Sequence, residues 1–249
     1  MKNISLSILG IVIFIIGWYI LSLGYTPNQL PSPKDTFLAF IEIYEDGTLI
    51  EHTLASLKRF IIGYSAGGIL GIIIGLIAGR YLCIFSFFDG LAQLIRPISP
   101  VAWFPLAVLW FGIGDAPAIF IIILATFFPV FLSTISGVRN VDPLLLKVSQ
   151  NFGASEFKTL FSVLIPASFP SIVMGLNIGM ATAWIHLVAG EMLGAQSGLG
   201  YMIVDARNFL RSDLIICGMV LIGIIGWSMN IIMKKIEKSV NRRWGVCDV

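Results

Sequence analysis

The sequence has few charged residues. Only 12% of its 249 residues are Asp, Glu, Lys or Arg, whereas hydrophobic residues make up 57%. A soluble globular domain carries about 25% charged residues, so this chain has too little polar surface to be stable in water. Its net charge of +2 is too small to indicate a nucleic-acid-binding protein. These values predict an integral membrane protein with lipid around it.

Motifs of catalysis and metal binding are also missing. The cysteines Cys83, Cys217 and Cys247 are scattered, with no CxxC pair and no plausible disulfide framework. There is no GxxxxGKS/T loop, no HExxH and no nucleophile elbow. His186 and Glu191 are five residues apart, not the four that would place both on one helical face for a metal. We therefore expect a non-enzyme without its own cofactor or metal, and any ATP must be bound by a partner chain.

What the sequence does contain is a succession of long apolar runs. A run of about 20 residues is long enough to cross the hydrocarbon core of a bilayer. The predicted spans are residues 4–23, 60–80, 84–112, 117–137, 168–192 and 214–233. Pro97, Pro100 and Pro105 must bend or break the third span. The predicted fold class is an all-α, polytopic membrane protein with about six transmembrane helices.

The first apolar run has two interpretations. Lys2 precedes it and Ser22-Leu23-Gly24 resembles a weak cleavage site, as in a signal peptide. The run is nevertheless long enough to span the membrane, and many further spans follow. We interpret it as an uncleaved first helix.

The Lys and Arg residues predict the orientation, since cytoplasmic segments are enriched in them. With both termini inside, the inner segments hold ten of the sixteen: Lys2, Arg80, Arg139, Lys147, Lys158, Lys234, Lys235, Lys238, Arg242 and Arg243. The outer segments hold five: Lys34, Lys58, Arg59, Arg207 and Arg211. The bias predicts two cytoplasmic termini and places residues 139–166 inside.

A regular series of glycines runs along the second predicted span. Gly63, Gly67, Gly71, Gly75 and Gly79 recur every four residues. On a helix they form a bare strip about 24 Å long, which lets another backbone approach closely. The strip predicts helix packing within the chain, with a subunit interface or a sliding surface as the alternatives.

The segment between the fourth and fifth spans is polar but patterned. Asp142 can cap a helix that begins at Pro143. Gly153 permits a tight turn, after which Ser155 can cap a second short helix. Apolar residues follow at helical spacing in both halves, namely Leu144, Leu145, Val148 and Phe152, then Phe157, Leu160, Phe161 and Leu164. Two amphipathic helices in a membrane loop predict a docking surface for another protein.

The same segment carries a resemblance to a known family. Gly153, nine residues, then Val163-Leu164-Ile165-Pro166 resembles the second half of the cytoplasmic coupling-loop signature of ABC importer permeases, EAA, three residues, Gly, nine residues, Ile-x-Leu-Pro. The EAA positions are occupied by Lys147-Val148-Ser149. The runs 96–106, 110–114, 183–184, 189–192 and 198–200 are similar to permeases for nitrate, sulfonates, taurine and bicarbonate. The resemblance covers roughly residues 48–244.

This resemblance implies a function and a set of partners. The fold would be that of a type I ABC importer permease, in a bacterial inner membrane. ATPase subunits holding ATP and Mg²⁺ would dock inside on the connector (residues 138–167), chiefly on Asp142, Pro143, Gly153, Ala154, Ser155, Phe157, Phe161, Val163, Ile165 and Pro166. A solute-binding protein would deliver a small solute outside, and a second permease subunit, either another copy of this chain or a close relative, would complete the path. An ATP-independent carrier or channel is the alternative.

The same resemblance implies a division of the chain into three parts. Residues 1–47 would hold the first helix and an outer segment, 48–237 the transport core, and 238–249 a basic cytoplasmic tail.

Several polar and aromatic residues within the spans are candidates for the translocation path or a gate. They are Arg96, Trp184, Glu191, Gly198 and Gly200. A charge at membrane depth is costly and must face a cavity or a partner. Glu191 is interpreted as a gate residue or as the ion-pair partner of Arg207 or Arg211. Arg96 either attracts anions or pairs with Asp89, and Trp184 either contacts solute or packs in the core.

Overall fold

The computed structural model describes residues 2–244, apart from the side chains of residues 2–5, 7, 8, 82, 89, 243 and 244. This part of the chain is helical and contains no strand, which confirms the predicted all-α class. The α-helices are α1 (Lys2–Ser22), α2 (Pro33–Glu45), α3 (Thr48–Arg80), α4 (Leu82–Ile95), α5 (Phe104–Phe111), α6 (Asp115–Arg139), α7 (Pro143–Asn151), α8 (Glu156–Thr159), α9 (Ile165–Gly194), α10 (Leu199–Asn208) and α11 (Ser212–Trp244). A 3₁₀ turn covers Pro100–Trp103 and a π-helical turn covers Leu160–Leu164.

Within the part of the chain that the structure describes, four helical segments are long and apolar enough to cross a membrane. They are Thr48–Arg80, Asp115–Arg139, Glu156–Gly194 and Ser212–Arg242. The pair Cys83–Ile95 and Pro100–Phe111 forms a fifth candidate, bent by 85°. Leu9–Ser22 is a shorter apolar helix. These segments are compatible with the predicted total of about six.

The third predicted span is broken rather than continuous. α4 ends at Ile95, and the chain resumes helical structure only at Pro100. Pro97 lies in the break and Pro100 begins the 3₁₀ turn that follows it. Their missing N–H groups and rigid rings cannot continue an α-helix. Irregular backbone at membrane depth is tolerated where it is buried in protein or lines a cavity, and a cavity does lie beside this break.

Two predicted spans begin earlier than their hydropathy suggests. α3 begins at Thr48 rather than residue 60, directly after Gly47, whose φ of 76° lies in the left-handed region. The fifth span begins at Glu156 rather than residue 168, because the helix continues through Pro166. The π-helical turn accommodates this proline, with the N–H of Ile165 donating to the carbonyl of Leu160. The helix of the fifth span therefore starts inside the predicted connector, residues 138–167.

Helices α3, α6 and α9 form the centre of the bundle. The glycine strip of α3 lies against α6. A Cβ added at any of these glycines would lie closer to an atom of α6 than the ordinary contact distance of 3.4–4 Å. At Gly63 a Cβ would lie 2.6 Å from the Cβ of Ile122, and at Gly75 it would lie 2.7 Å from that of Thr134. On the other side of α6, a Cβ at Gly175 of α9 would lie 2.6 Å from that of Ser133. Small residues thus allow three helices to pack backbone to backbone.

Helix α2 is held at one end of the bundle by caps and charges. Ser32 and Asp35 form a capping box, each side chain bonding to the other's backbone N–H. Arg211, in the turn before α11, donates to Glu42 of α2 at 2.7 Å and to Asp213 at 2.8 Å. These contacts fix the segment that precedes α3.

Candidate functional site

The first half of the connector is built by local capping. The Oδ1 atom of Asp142 accepts from the N–H of Leu144 at 2.8 Å, and Pro143 occupies the first position of α7. Helix α7 ends at Asn151, and Gly153 then adopts a φ of 67°. Nothing lies within 4 Å of a Cβ built on Gly153. The glycine is therefore required by backbone conformation and not by crowding.

The second half of the connector is tied back to the first. Ser155 caps α8 by accepting from the N–H of Lys158. The hydroxyl groups of Ser149 and Thr159 are 2.8 Å apart, and the N–H of Ala154 donates to the carbonyl of Ser149 at 3.1 Å. These bonds make the two short helices one compact unit with the turn between them.

This compact unit exposes apolar side chains. Phe152 is 86% exposed and Phe157 is 73% exposed, and the rings of Phe157 and Phe161 lie 4.7 Å apart. Leu144, Leu145, Val148 and Phe161 are also exposed. Leu164, by contrast, is buried against α3, α6 and α9, so the second predicted stripe divides between the connector surface and the bundle. Exposed aromatic residues on an ordered surface are typical of a protein-binding site.

A polar contact joins the connector to the junction of α3 and α4. Glu156 accepts from the Tyr81 hydroxyl at 3.0 Å and from Arg80 at 3.4 Å. The hydrogen bond to Glu156 and its negative charge raise the pKa of the Tyr81 phenol. The start of α8 is therefore linked to two helices of the bundle besides α9.

Glu191 lies near the C-terminal end of α9 and is 1% exposed. Its Oε1 accepts from Nη1 of Arg59 at 2.8 Å, and its Oε2 accepts from the N–H of Gly200 at 3.0 Å. The Ser56 hydroxyl lies 2.8 Å from both carboxylate oxygens. All of these partners are supplied by the protein, so the buried carboxylate is fully paired.

Arg59 is the centre of this group and is 2% exposed. Besides Glu191, it contacts Oδ1 of Asp115 at 2.6 Å and donates to the carbonyl and hydroxyl oxygens of Ser197, each at 2.6 Å. We call Ser56, Arg59, Asp115, Glu191 and Ser197 the ion cluster. It joins α3, the N-terminus of α6, the end of α9 and the turn before α10.

Glycines allow the α9–α10 turn to approach the ion cluster. Gly198 has a φ of 108°, and a Cβ there would collide with Glu191 and Arg59. A Cβ at Gly200 would lie 2.5 Å from the carbonyl of Val188. The N–H of Leu199 donates to Ser56 at 2.8 Å. Gly198 and Gly200, predicted as path or gate residues, thus belong to an ordered turn that is bound on several sides.

The predicted partners of Glu191 were wrong. Arg207 is exposed and Arg211 pairs with Glu42 and Asp213, while the actual cation is Arg59. The hydropathy pattern places Arg59 in an outer segment, because the second predicted span begins only at residue 60. A helical signal could have identified it, since Ser56, Arg59 and Gly63 follow at intervals of three and four and so share the face of the glycine strip.

Arg96 lies at the end of α4, beside a cavity of about 400 Å³. The side chain of Asp89, its predicted partner, lies outside the described residues. His186 lines the same cavity, and its Nδ1 contacts the carbonyl of Thr182 at 2.7 Å. This contact lies within α9, because Thr182 precedes His186 by one turn of the same helix.

Trp184 lies elsewhere, in the core between α9 and α11. It is 7% exposed, its Nε1 donates to the carbonyl of Ile222 at 3.1 Å, and its ring meets Phe60 edge to face at 5.6 Å. A Cβ at Gly226 would lie 2.8 Å from the indole. Of the two roles predicted for Trp184, contact with solute or packing in the core, the structure shows packing in the core.

The fold and these surfaces define a multi-pass helical membrane protein with an ordered connector and a buried ion cluster. Residues 68–246 match the family model described as a binding-protein-dependent transport system inner membrane component. The chain is 38% identical over 241 residues to a putative ABC transporter permease of Methanocaldococcus jannaschii, covering 94% of this chain and 89% of that protein. It is 32% identical over 244 residues to the taurine transport system permease TauC of Escherichia coli, covering 95% and 89%.

Among solved structures, an inward-facing crystal form of the methionine ABC transporter MetNI contains a chain of similar fold. The TM-score is 0.70 at 16% identity, over 79% of this chain and 97% of that chain. The protein belongs to the family of binding-protein-dependent transport system inner membrane components. Its function is that of a permease subunit of an ABC importer, which confirms the resemblance drawn from the connector and the flanking motifs.

Proposed function

We propose that this permease receives an ATPase subunit on the connector and transmits the movement of that subunit to the ion cluster. The observation that carries the proposal is the exposed aromatic surface of the connector, Phe152, Phe157 and Phe161, on a unit that is otherwise hydrogen-bonded and ordered. ATP and Mg²⁺ would be held by the partner, because this sequence has no P-loop. The connector and both termini would then be cytoplasmic, as the Lys and Arg bias predicts.

A continuous helix supports the transmission step. Residues 156–194 form a single helical segment of 39 residues, which is about 58 Å long at 1.5 Å per residue. Its first residue, Glu156, belongs to the connector, and Glu191 near its last turn belongs to the ion cluster. A displacement of the connector would therefore move one side of the ion cluster. The π-helical turn at Leu160–Leu164 is where the helix can change its winding at low cost.

The proposed transport path needs further partners. We propose that a second copy of this chain completes the path, and that a solute-binding protein docks at the end of the bundle that carries the ion cluster. The solute class is that of small oxyanions, as supported by the similarity to a taurine permease. The protein would reside in the cytoplasmic membrane of its cell.

Co-purification tests the ATPase contact. The variant Phe157→Ala/Phe161→Ala removes two exposed aromatic rings, and we expect it to lose the P-loop ATPase that co-purifies with the wild type. Phe209→Ala is the matched control, because Phe209 is also 73% exposed but precedes α11 at a distance from the connector. Retention of a stoichiometric ATPase by the double variant would contradict the docking surface. A wild-type protein that transports without any ATPase would support the ATP-independent alternative.

A further inference from the structure

The cavity beside the break in the third span lies among four helical segments. Its wall is formed by the end of α4, the 3₁₀ turn, α6 and α9. The volume of about 400 Å³ lies at the lower end of the range of small-molecule sites, about 300–1,000 Å³. We call it the hinge cavity. Its size suits a small organic or inorganic solute and excludes a peptide.

Among the described side chains, one fixed charge lines the hinge cavity. Arg96 is the only Lys, Arg, Asp or Glu among the described residues that line it. Most of the remaining wall is apolar, including Phe128, Leu132 and Ile178. No carboxylate among the described side chains pairs with Arg96. A charge next to a membrane-embedded cavity marks a functional site by default, and its sign selects an anion.

The neighbouring polar groups further restrict which kinds of ligand the hinge cavity can bind. The Thr182 hydroxyl is engaged with the carbonyl of Ala125 at 3.0 Å and with carbonyls of its own helix, so its proton is already committed. A carbonyl can only accept, so Nδ1 of His186 carries the proton in its contact with Thr182. Nε2 of the neutral ring can then only accept, so it cannot donate to an oxyanion. The indole N–H of Trp103 and the hydroxyl of Ser133, which also line the cavity, are the described side-chain donors that can join Arg96 around a ligand.

The break in the span adds a second, independent observation. Arg96 follows α4 directly, and Ile98 and Pro100 of the irregular segment also line the cavity. Interrupted helices at membrane depth recur where solutes bind, because their free backbone groups can turn toward a ligand. The interruption therefore coincides with the cavity and the charge, as expected for a binding site and not for a packing defect.

We propose that the hinge cavity is a solute-binding site within the translocation path, in which the Arg96 guanidinium holds the oxyanion group of a small sulfonate. The guanidinium provides a planar pair of donors that fits two oxygens of a sulfonate. The apolar wall around Phe128 and Ile178 takes a short carbon chain, and Trp103 closes one side. This proposal rests on the proposed function, because it places the solute of the importer in this chain.

An anionic lipid headgroup offers the same oxyanion chemistry. To distinguish a sulfonate solute from a lipid headgroup, the complex of permease and ATPase is reconstituted into nanodiscs of phosphatidylcholine alone or with added phosphatidylglycerol. Equilibrium binding of radiolabelled ethanesulfonate is then measured in both. We expect saturable binding in phosphatidylcholine with little change when phosphatidylglycerol is added. Binding that is abolished by phosphatidylglycerol would assign Arg96 to lipid and overturn the proposal.

Variants at two positions of the hinge cavity, Arg96 and Ile178, test the site with a matched control for each position. Arg96→Gln should weaken ethanesulfonate binding at least about tenfold, the effect of losing a bidentate charged contact, and Arg96→Lys should lie between. Arg207→Gln is the control, since Arg207 is exposed and lies on α10. Ile178→Trp should block the cavity without changing charge, whereas Ile185→Trp, at an exposed position of the same helix, should not.

The outcomes distinguish this proposal from the proposed function. ATPase retention is scored in every preparation, so a wild type without ATPase contradicts the docking proposal whatever the binding result. If ATPase is retained but Arg96→Gln and Ile178→Trp bind as the wild type does, the hinge cavity is not the site. Absence of saturable wild-type binding of ethanesulfonate, taurine and nitrate up to the millimolar range would also overturn it.

Discussion

Replacing Glu191 by Gln tests the ion cluster most directly. The change preserves the shape of the side chain but exchanges one carboxylate oxygen for an NH₂ group. Oε1 now faces Arg59 and Oε2 faces the N–H of Gly200, while Ser56 donates between them. Whichever way the amide is turned, its NH₂ group meets an N–H donor. At least one hydrogen bond is therefore lost together with the charge.

The remaining contacts of Arg59 determine how much stability the Glu191→Gln variant loses. Removing one partner of a buried ion pair typically costs about 3–5 kcal/mol when the other charge is left alone. Arg59 keeps Asp115 at 2.6 Å and both oxygen atoms of Ser197, so its charge is still compensated. We expect Glu191→Gln to lower the free energy of unfolding by about 2–4 kcal/mol, combining a partly compensated charge with one unsatisfied buried donor.

The assay is thermal unfolding of the purified permease in detergent, combined with ATPase retention and solute uptake. Glu45→Gln is the control, since Glu45 is an exposed acid of α2. Asp115→Asn should cost about 1 kcal/mol or less, because Asp115 is 51% exposed and its attraction to Arg59 is weakened by solvent. Unchanged unfolding temperature, assembly and uptake of Glu191→Gln would refute the structural role of the ion cluster.

Three further changes are predicted. Gly153→Val should strain the left-handed turn by about 1–2 kcal/mol and reduce coupling of ATP hydrolysis to transport, whereas Gly153→Asn should be tolerated; full transport by the Val variant would count against it. Gly71→Leu should lower the unfolding temperature, because its Cβ would lie 3.0 Å from both the carbonyl of Phe127 and a side chain of α6; Gly223→Leu, with nothing within 4 Å, is the control, and equal stability of the two variants would show that the strip does not pack. The hydrogen bond from Arg211 holds the pKa of Glu42 below its ordinary value of 4.5. The pair therefore stabilises the folded state fully above pH 4.5, and this stabilisation is lost as the pH falls through the lower pKa of the folded state. Both groups are partly exposed, so a pH titration of the unfolding temperature should show a difference of less than about 1 kcal/mol between wild type and Glu42→Gln, and a difference that grows as pH falls would contradict the sign.

Much of the connector was predictable because its structure is local. Asp142 and Ser155 cap helices that begin one residue later, and Gly153 adopts the turn conformation that few other residues tolerate. Capping bonds join residues two or three positions apart, so the sequence contains both partners side by side. The glycine spacing on α3 similarly identified a bare helical face, since one helical period determines which residues share it.

The limits of hydropathy explain the misplaced span boundaries. Residues 48–59 are too polar to resemble a span, yet they continue α3 because helix formation does not require an apolar face on every turn. Pro166 ends a helix by its local preference, yet a π-helical turn accepts it here. At Pro166 the packing of the bundle stabilises a helix that the local sequence does not favour by itself.

The sequence by itself determined the membrane class, the all-α fold and the capped connector, because each depends on composition or on neighbours within about one helical turn. Only the tertiary structure decided that Glu191 pairs with Arg59 at a separation of 132 residues, and that Arg96 shares a cavity with His186. A buried charge requires a partner, and the sequence can state that requirement. Which of several arginines meets it depends on which helices lie side by side, and this is set by the close packing of α3, α6 and α9 along their small residues.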